Sequence, residues 1–118
     1  MKIRLKFGDR VITATLADSK ATQDFISLLP LTLTLEDYAG TEKISNLPQK
    51  LSTEGAPAGS DPSVGDIAYY APWGNLAIYY RDFGYSSGLI LLGKLDSGIE
   101  ALAGRGPLTV TIDLASKP

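Results

Sequence analysis

The sequence predicts a mainly β domain, a closed barrel with one or two short capping helices. Three observations predict it. Both ends of the chain alternate apolar and polar residues with a period of two, the pattern of half-buried strands. Glycine and proline divide the chain into many short segments, as small barrels and sandwiches require. One stretch alone has convincing helical spacing, which argues against repeated strand–helix–strand units.

The elements follow in order. Ile3, Leu5 and Phe7 alternate with Lys2, Arg4 and Lys6, and Gly8-Asp9 turns the chain into a second strand from Arg10 to Leu16. Asp18 or Ser19 caps a helix, since either side chain accepts from free N–H groups of the first turn. Ala21, Phe25, Leu28 and Leu29 form its apolar stripe, and Pro30 ends it. Leu31, Leu33 and Leu35 restore the strand period. Residues 37–51 read as a short strand or a turn-rich connection, and 53–65, with Gly55, Pro57, Gly59, Pro62 and Gly65, as a loop. A hairpin spans 66–82, an apolar strand 89–95, one or two helical turns 97–103, and a closing strand 108–114.

Composition narrows the chemistry. A chain of 118 residues with 44% hydrophobic and 20% charged side chains fits a single globular domain over residues 1–118. Cys and His are both absent, which removes thiol nucleophiles, disulfides, iron–sulfur clusters and Cys/His zinc sites. No metal and no cofactor is expected; scattered carboxylates leave only a weak calcium site open. The net charge is −2 and the eleven Lys and Arg form no basic stripe, so nucleic acid is not an expected partner. No apolar run is long enough to span a bilayer, and the charged start is no signal peptide, so no membrane partner and a cytoplasmic location are expected.

The hairpin is the most informative feature. With a loop of Pro72 to Asn75, Ala71 faces Leu76, Tyr69 faces Ile78, and Ile67 faces Tyr80, giving one apolar face. The other face carries Asp66 opposite Arg81, Ala68 opposite Tyr79, and Tyr70 opposite Ala77. Tyrosine beside alanine leaves gaps for a ligand, and Arg81 adds a rigid donor fork. The alternative is structural: an Asp66–Arg81 ion pair, with the tyrosines packed under the loop. Trp73 at the hairpin tip is either an anchor for a partner or a lid over the barrel end. Tyr85 flanks the same surface, and Glu54 stands at the mouth of the long loop. Glu36, Asp37 and Glu42 read as strand-end and turn residues rather than an acid–base pair. Gly104-Arg105-Gly106 lacks the third glycine and the following helix of a phosphate loop.

The residues Thr53-Glu54-Gly55-Ala56-Pro57-Ala58-Gly59, Gly65-Asp66-Ile67-Ala68-Tyr69-Tyr70 and Pro72-Trp73-Gly74-Asn75-Leu76-Ala77-Ile78-Tyr79-Tyr80 together resemble the small bacterial cyclophilin-like domain family. The order of elements fits across nearly the whole chain. The resemblance implies a closed barrel with short capping helices. In cyclophilins a proline-binding groove lies on the outer barrel face, an arginine donor beside aromatic residues, and Arg81 with Tyr70 and Tyr79 is similar to that arrangement. The cyclophilin histidine and glutamine-containing segment have no counterpart here. The expected function is therefore a binding module for a small molecule or short peptide, at a groove formed by Arg81, Tyr70, Tyr79, Trp73, Glu54 and Tyr85. Two alternatives are a peptidyl-prolyl isomerase and a structural or oligomer-forming domain without a pocket. The ligand and the oligomeric state are not legible.

Overall fold

The computed structural model describes residues 1–104 and 106–115. The strands are β1 (Lys2–Phe7), β2 (Arg10–Leu16), β3 (Leu31–Tyr38), β4 (Glu42–Asn46), β5 (Gly59–Ser60), β6 (Asp66–Tyr70), β7 (Asn75–Tyr79), β8 (Ser86–Ser87), β9 (Leu89–Leu95) and β10 (Leu108–Leu114). Two helices, α1 (Lys20–Ser27) and α2 (Ile99–Leu102), complete the fold. Eight strands close a barrel in the order β1-β10-β3-β4-β7-β6-β9-β2, and β5 pairs with β8 in a separate two-stranded sheet. The expected closed β-barrel with short helices is what forms.

The terminal strands behave as their alternation dictates. Ile3, Leu5 and Phe7 of β1 and Val110 and Ile112 of β10 face the core, and Ile3 pairs with Leu114 to join the two ends of the chain. Ser19 caps α1 by accepting from the Thr22 N–H, and Phe25 of that helix is fully buried. The core is one cluster inside the barrel, with Leu35, Tyr69, Leu76, Ile78 and Leu92 at its centre. Each of these side chains contributes about 1.5–3 kcal/mol by leaving water.

A tight seam lies between β2 and β9. A Cβ on Gly93 would stand 2.2 Å from the Thr15 carbonyl oxygen and 2.7 Å from the Leu16 Cα, so only glycine lets the two backbones meet. Beside it, the pairing of β6 with β9 shifts between Ile67 and Ala68. Ile67 faces Gly93 while Ala68 faces Leu91, which leaves Leu92 as the extra residue of a bulge, buried in the core.

The central hairpin differs from expectation by an even step. Ile67 pairs with Ile78, Tyr69 with Leu76, and Tyr70 with Asn75, so the loop is residues 71–74 rather than 72–75. The Trp73 and Gly74 N–H groups both donate to the Tyr70 carbonyl, and Gly74 takes a φ of +67°, which ends the turn one residue early. An even shift leaves the faces unchanged: Ile67, Tyr69, Leu76 and Ile78 point inward, while Tyr70 and Tyr79 point outward. Tyr80 does not join the core, because β7 ends at Tyr79; it is half-buried and donates its hydroxyl to Asp37. Asp66 does not face Arg81 either. It pairs with Lys94 across β9, at 3.5 Å, and accepts from the Ser63 N–H.

The outer face of the hairpin is covered. Residues 59–64 and 82–88 fold over it, stitched by β5–β8 pairing and by bonds from the Phe83 N–H to the Pro62 carbonyl and from the Val64 N–H to the Asp82 carboxylate. Beneath this flap, Ala68, Ala77, Tyr79 and Leu89 form a second buried apolar cluster outside the barrel, with Ile44 and Tyr70 packed against it. Among the described residues, no helix is long and apolar enough to cross a membrane.

Candidate functional site

A pocket of about 200 Å³ opens where the second apolar cluster reaches the surface. Strand pairing builds its floor. Strand β4 runs antiparallel to β7, so Glu42 pairs with Tyr79, Ile44 with Ala77 and Asn46 with Asn75 on the outer face. Glu42, Asn75 and Tyr79 line the pocket and are respectively 8%, 3% and 3% exposed. Its walls are aromatic. Trp73 stands edge-to-face against Tyr38, with centroids 5.3 Å apart, and against Tyr70 at 5.2 Å. Such pairs add about 0.5–1.5 kcal/mol each beyond simple burial. Phe83 and Ser86, from the flap, close the remaining side.

The floor is polar and under-satisfied. The Asn75 Oδ1 is buried and has no hydrogen-bond partner. Leaving such an acceptor unpaired costs about 1–3 kcal/mol. Burial pushes the Glu42 carboxyl above its usual range, and the Tyr79 and Thr41 hydroxyls offset this only in part. The Tyr79 phenol is pushed up as well, first by burial and then by the Glu42 carboxylate beside it. Among the described residues no Lys or Arg lines the pocket and none pairs with Glu42.

The sequence profile of the Cyclophilin-like family matches residues 5–113. The chain belongs to the Cyclophilin-like family. A similar solved structure is that of a hypothetical protein from Archaeoglobus fulgidus, with a TM-score of 0.68, 18% sequence identity, and coverage of 98% of this chain and 95% of that one. At that identity the likeness extends to the fold alone. No curated protein matches the sequence.

On this Cyclophilin-like barrel the six residues singled out from the sequence do not all meet. Tyr70, Tyr79 and Trp73 line the pocket together. Arg81 lies in a separate hollow of about 440 Å³ with Asp37, Gly40, Tyr80 and Ala103. It sits two residues past the end of β7, where the chain has left the ladder and its N–H donates to the Thr41 carbonyl. Glu54 is exposed in the long loop, its backbone N–H bonded to the Ser52 hydroxyl, and it lines neither hollow. Tyr85 is 65% exposed and its ring lies against Gly59 of the flap. It stands outside the pocket, although its neighbour Ser86 lines it.

Sequence reasoning passes over most of the pocket residues, Asn75, Glu42 and Tyr38 foremost. Asn75 is assigned to the loop, while Glu42 is set aside as a turn carboxylate and Tyr38 is not singled out. A signal for Glu42 exists in Glu42, Ile44 and Asn46, which alternate with Lys43 and Ser45, but one apolar residue among five is a faint strand pattern. The strand is faint because its inner face lies at the barrel end. There Lys43 is 1% exposed, and its ammonium donates to the Gly104 and Gly106 carbonyls at 2.6 and 2.7 Å. Arg105, between those glycines, lies outside the described residues.

Proposed function

We propose that this chain is a binding domain for a small molecule or short peptide, and that the outer-face pocket is its site. The observation that carries this reading is a pocket floor of three largely buried polar side chains, Glu42, Asn75 and Tyr79, with no Lys or Arg among the described residues to pair with the Glu42 carboxyl. Buried polar groups normally have partners. A floor built to bond something the chain does not supply is what a ligand site requires. The volume of about 200 Å³ is below the roughly 300–1,000 Å³ of drug-sized sites, so it suits a small molecule or one side chain of a peptide.

Catalysis of prolyl isomerisation is the less supported alternative. Isomerases of this fold place a guanidinium beside an apolar pocket, and here Arg81 belongs to the other hollow.

The proposal is tested by screening small molecules and short peptides against labelled protein by NMR. Shifts confined to residues 38–44, 70–79 and 83–86 support it. Binders that map only to the Arg81 hollow, or no binder at all, overturn it.

A further inference from the structure

We infer that the pocket takes an alkylammonium group, methylated or primary, borne either by a free small molecule or by a lysine-type peptide side chain. This rests on the pocket being a binding site and names the chemistry of its occupant.

Three features converge. First, the Glu42 carboxylate stands on the floor, and it is the only charge among the described lining residues. An anion would meet repulsion and no donor fork. A cation would supply the counter-charge that Glu42 lacks. Second, the walls are π surfaces. Tyr38, Trp73 and Tyr70 stand nearly perpendicular in sequence, at 85° and 84°, so that faces and edges enclose a small volume from several directions. The negative face of an aromatic ring attracts a cation within about 6 Å. Third, the size fits. About 200 Å³ accommodates a compact head group.

The charge state of Glu42 is consistent with this. Its carboxyl is raised by burial with no cation to lower it. An ammonium beside it favours the ionised form, so binding is coupled to proton release where the empty site is partly protonated. The groups facing Glu42 are the Thr41 hydroxyl and the Tyr79 phenol, with Tyr70 and Asn75 beyond; none is cationic.

Trp73 is the single tryptophan and stands on the rim, so its emission reports occupancy directly. The full chain is titrated with choline, with tetramethylammonium, with 3,3-dimethylbutanol as the neutral isostere of choline, and with a short peptide carrying trimethyllysine. The expected result is saturable binding of at least one cationic probe and at least tenfold weaker response to the neutral isostere. Glu42→Gln should weaken cation binding at least tenfold while circular dichroism shows the barrel intact. Arg81→Ala, in the other hollow, should leave it within about twofold. Peptide binding without binding of choline or tetramethylammonium identifies the source as a side chain; the reverse identifies a small molecule. If the neutral isostere binds as well as choline, or Glu42→Gln binds unchanged, the cation inference fails while the pocket reading stands. If a general small-molecule and peptide screen also finds nothing at these residues, the pocket reading itself fails.

Discussion

Asp37 and Lys43 face each other directly across β3 and β4, and their charged ends meet at 3.1 Å where the barrel interior reaches one end. The inner face of β3, after Leu33 and Leu35, ends in a carboxylate, and that of β4 begins with an ammonium. Asp37 also accepts from the Tyr80 hydroxyl and the Gly106 N–H, both near 3.0 Å. These partners, Lys43 foremost, hold its carboxyl below the usual carboxylate range. The same network ties the Gly104 and Gly106 carbonyls to β4 and Tyr80 to β3. Asp37 and Tyr80 also line the hollow that holds Arg81.

Lys43→Met is therefore expected to destabilise the fold by about 1–3 kcal/mol, because the Gly104 and Gly106 carbonyls and a carboxylate lose their donor. The methionine stem replaces much of the lost packing. Urea unfolding measures the loss. An unchanged midpoint would show that the ammonium is not needed to close that end.

The hairpin faces give a paired test. Ile78 is fully buried, so Ile78→Ala should cost about 2–5 kcal/mol. Arg81 is exposed and forms no ion pair among the described residues, so Arg81→Ala should stay within about 0.5 kcal/mol. The reverse ranking in thermal melts would mean that the register is wrong.

Asp96 sets an acid limb. Its carboxylate accepts from Lys2, Thr13 and Thr15 and is held at about 2, below the ordinary 3.8. A carboxylate lowered by folding stabilises the fold above its unfolded pKa, and this contribution is lost as pH falls. Melting temperatures of the wild type should thus fall between about pH 4 and pH 2, and Asp96→Asn should flatten that limb. A limb that is identical in the variant would place the acid sensitivity elsewhere.

Glu42 works in the opposite sense. Folding raises its carboxyl above the ordinary 4.5, so its contribution is fully present below that value and is lost as pH rises through the folded pKa. Glu42→Gln should leave the empty protein more stable than wild type at pH 7.5 and give a smaller difference at pH 4.5. A site that carries an unpaired buried charge costs stability in this way. If Glu42→Gln is the less stable protein at pH 7.5, the carboxylate has a structural partner and the site reading loses its electrostatic basis.

Prolyl isomerisation should be absent or slow. The barrier of about 18–20 kcal/mol arises from partial double-bond character, and lowering it needs a donor aimed at the amide nitrogen beside a proline pocket. Arg81 and the aromatic walls lie in different hollows. Magnetisation-transfer exchange on a proline peptide is expected to show no acceleration. Strong acceleration that vanishes in Arg81→Ala would reverse this.

Much of the barrel was legible because its terminal strands and hairpin obey a strict period of two, as in Ile3-Leu5-Phe7 and Leu108-Val110-Ile112. The hairpin faces survived an error in loop placement because the shift was even. What periodicity could not give was the boundary of β7. The Asp66–Arg81 pairing assumed a ladder that ends at Tyr79. Nor could it give the flap, since β5 and β8 are two residues each and carry no pattern. The site needed both: Tyr70, Trp73 and Tyr79 come from the readable hairpin, whereas Glu42 sits on a strand with one apolar residue and Phe83 comes from an irregular segment.

The most direct measurement follows the Asn75 side-chain amide and the Trp73 indole N–H in two-dimensional NMR spectra during a choline titration. The pocket places these groups at its floor and its rim. Both resonances should shift along one saturable curve, and in Glu42→Gln both should need at least tenfold more choline. Shifts that leave Asn75 and Trp73 unmoved while signals around Arg81 respond would contradict the site as described.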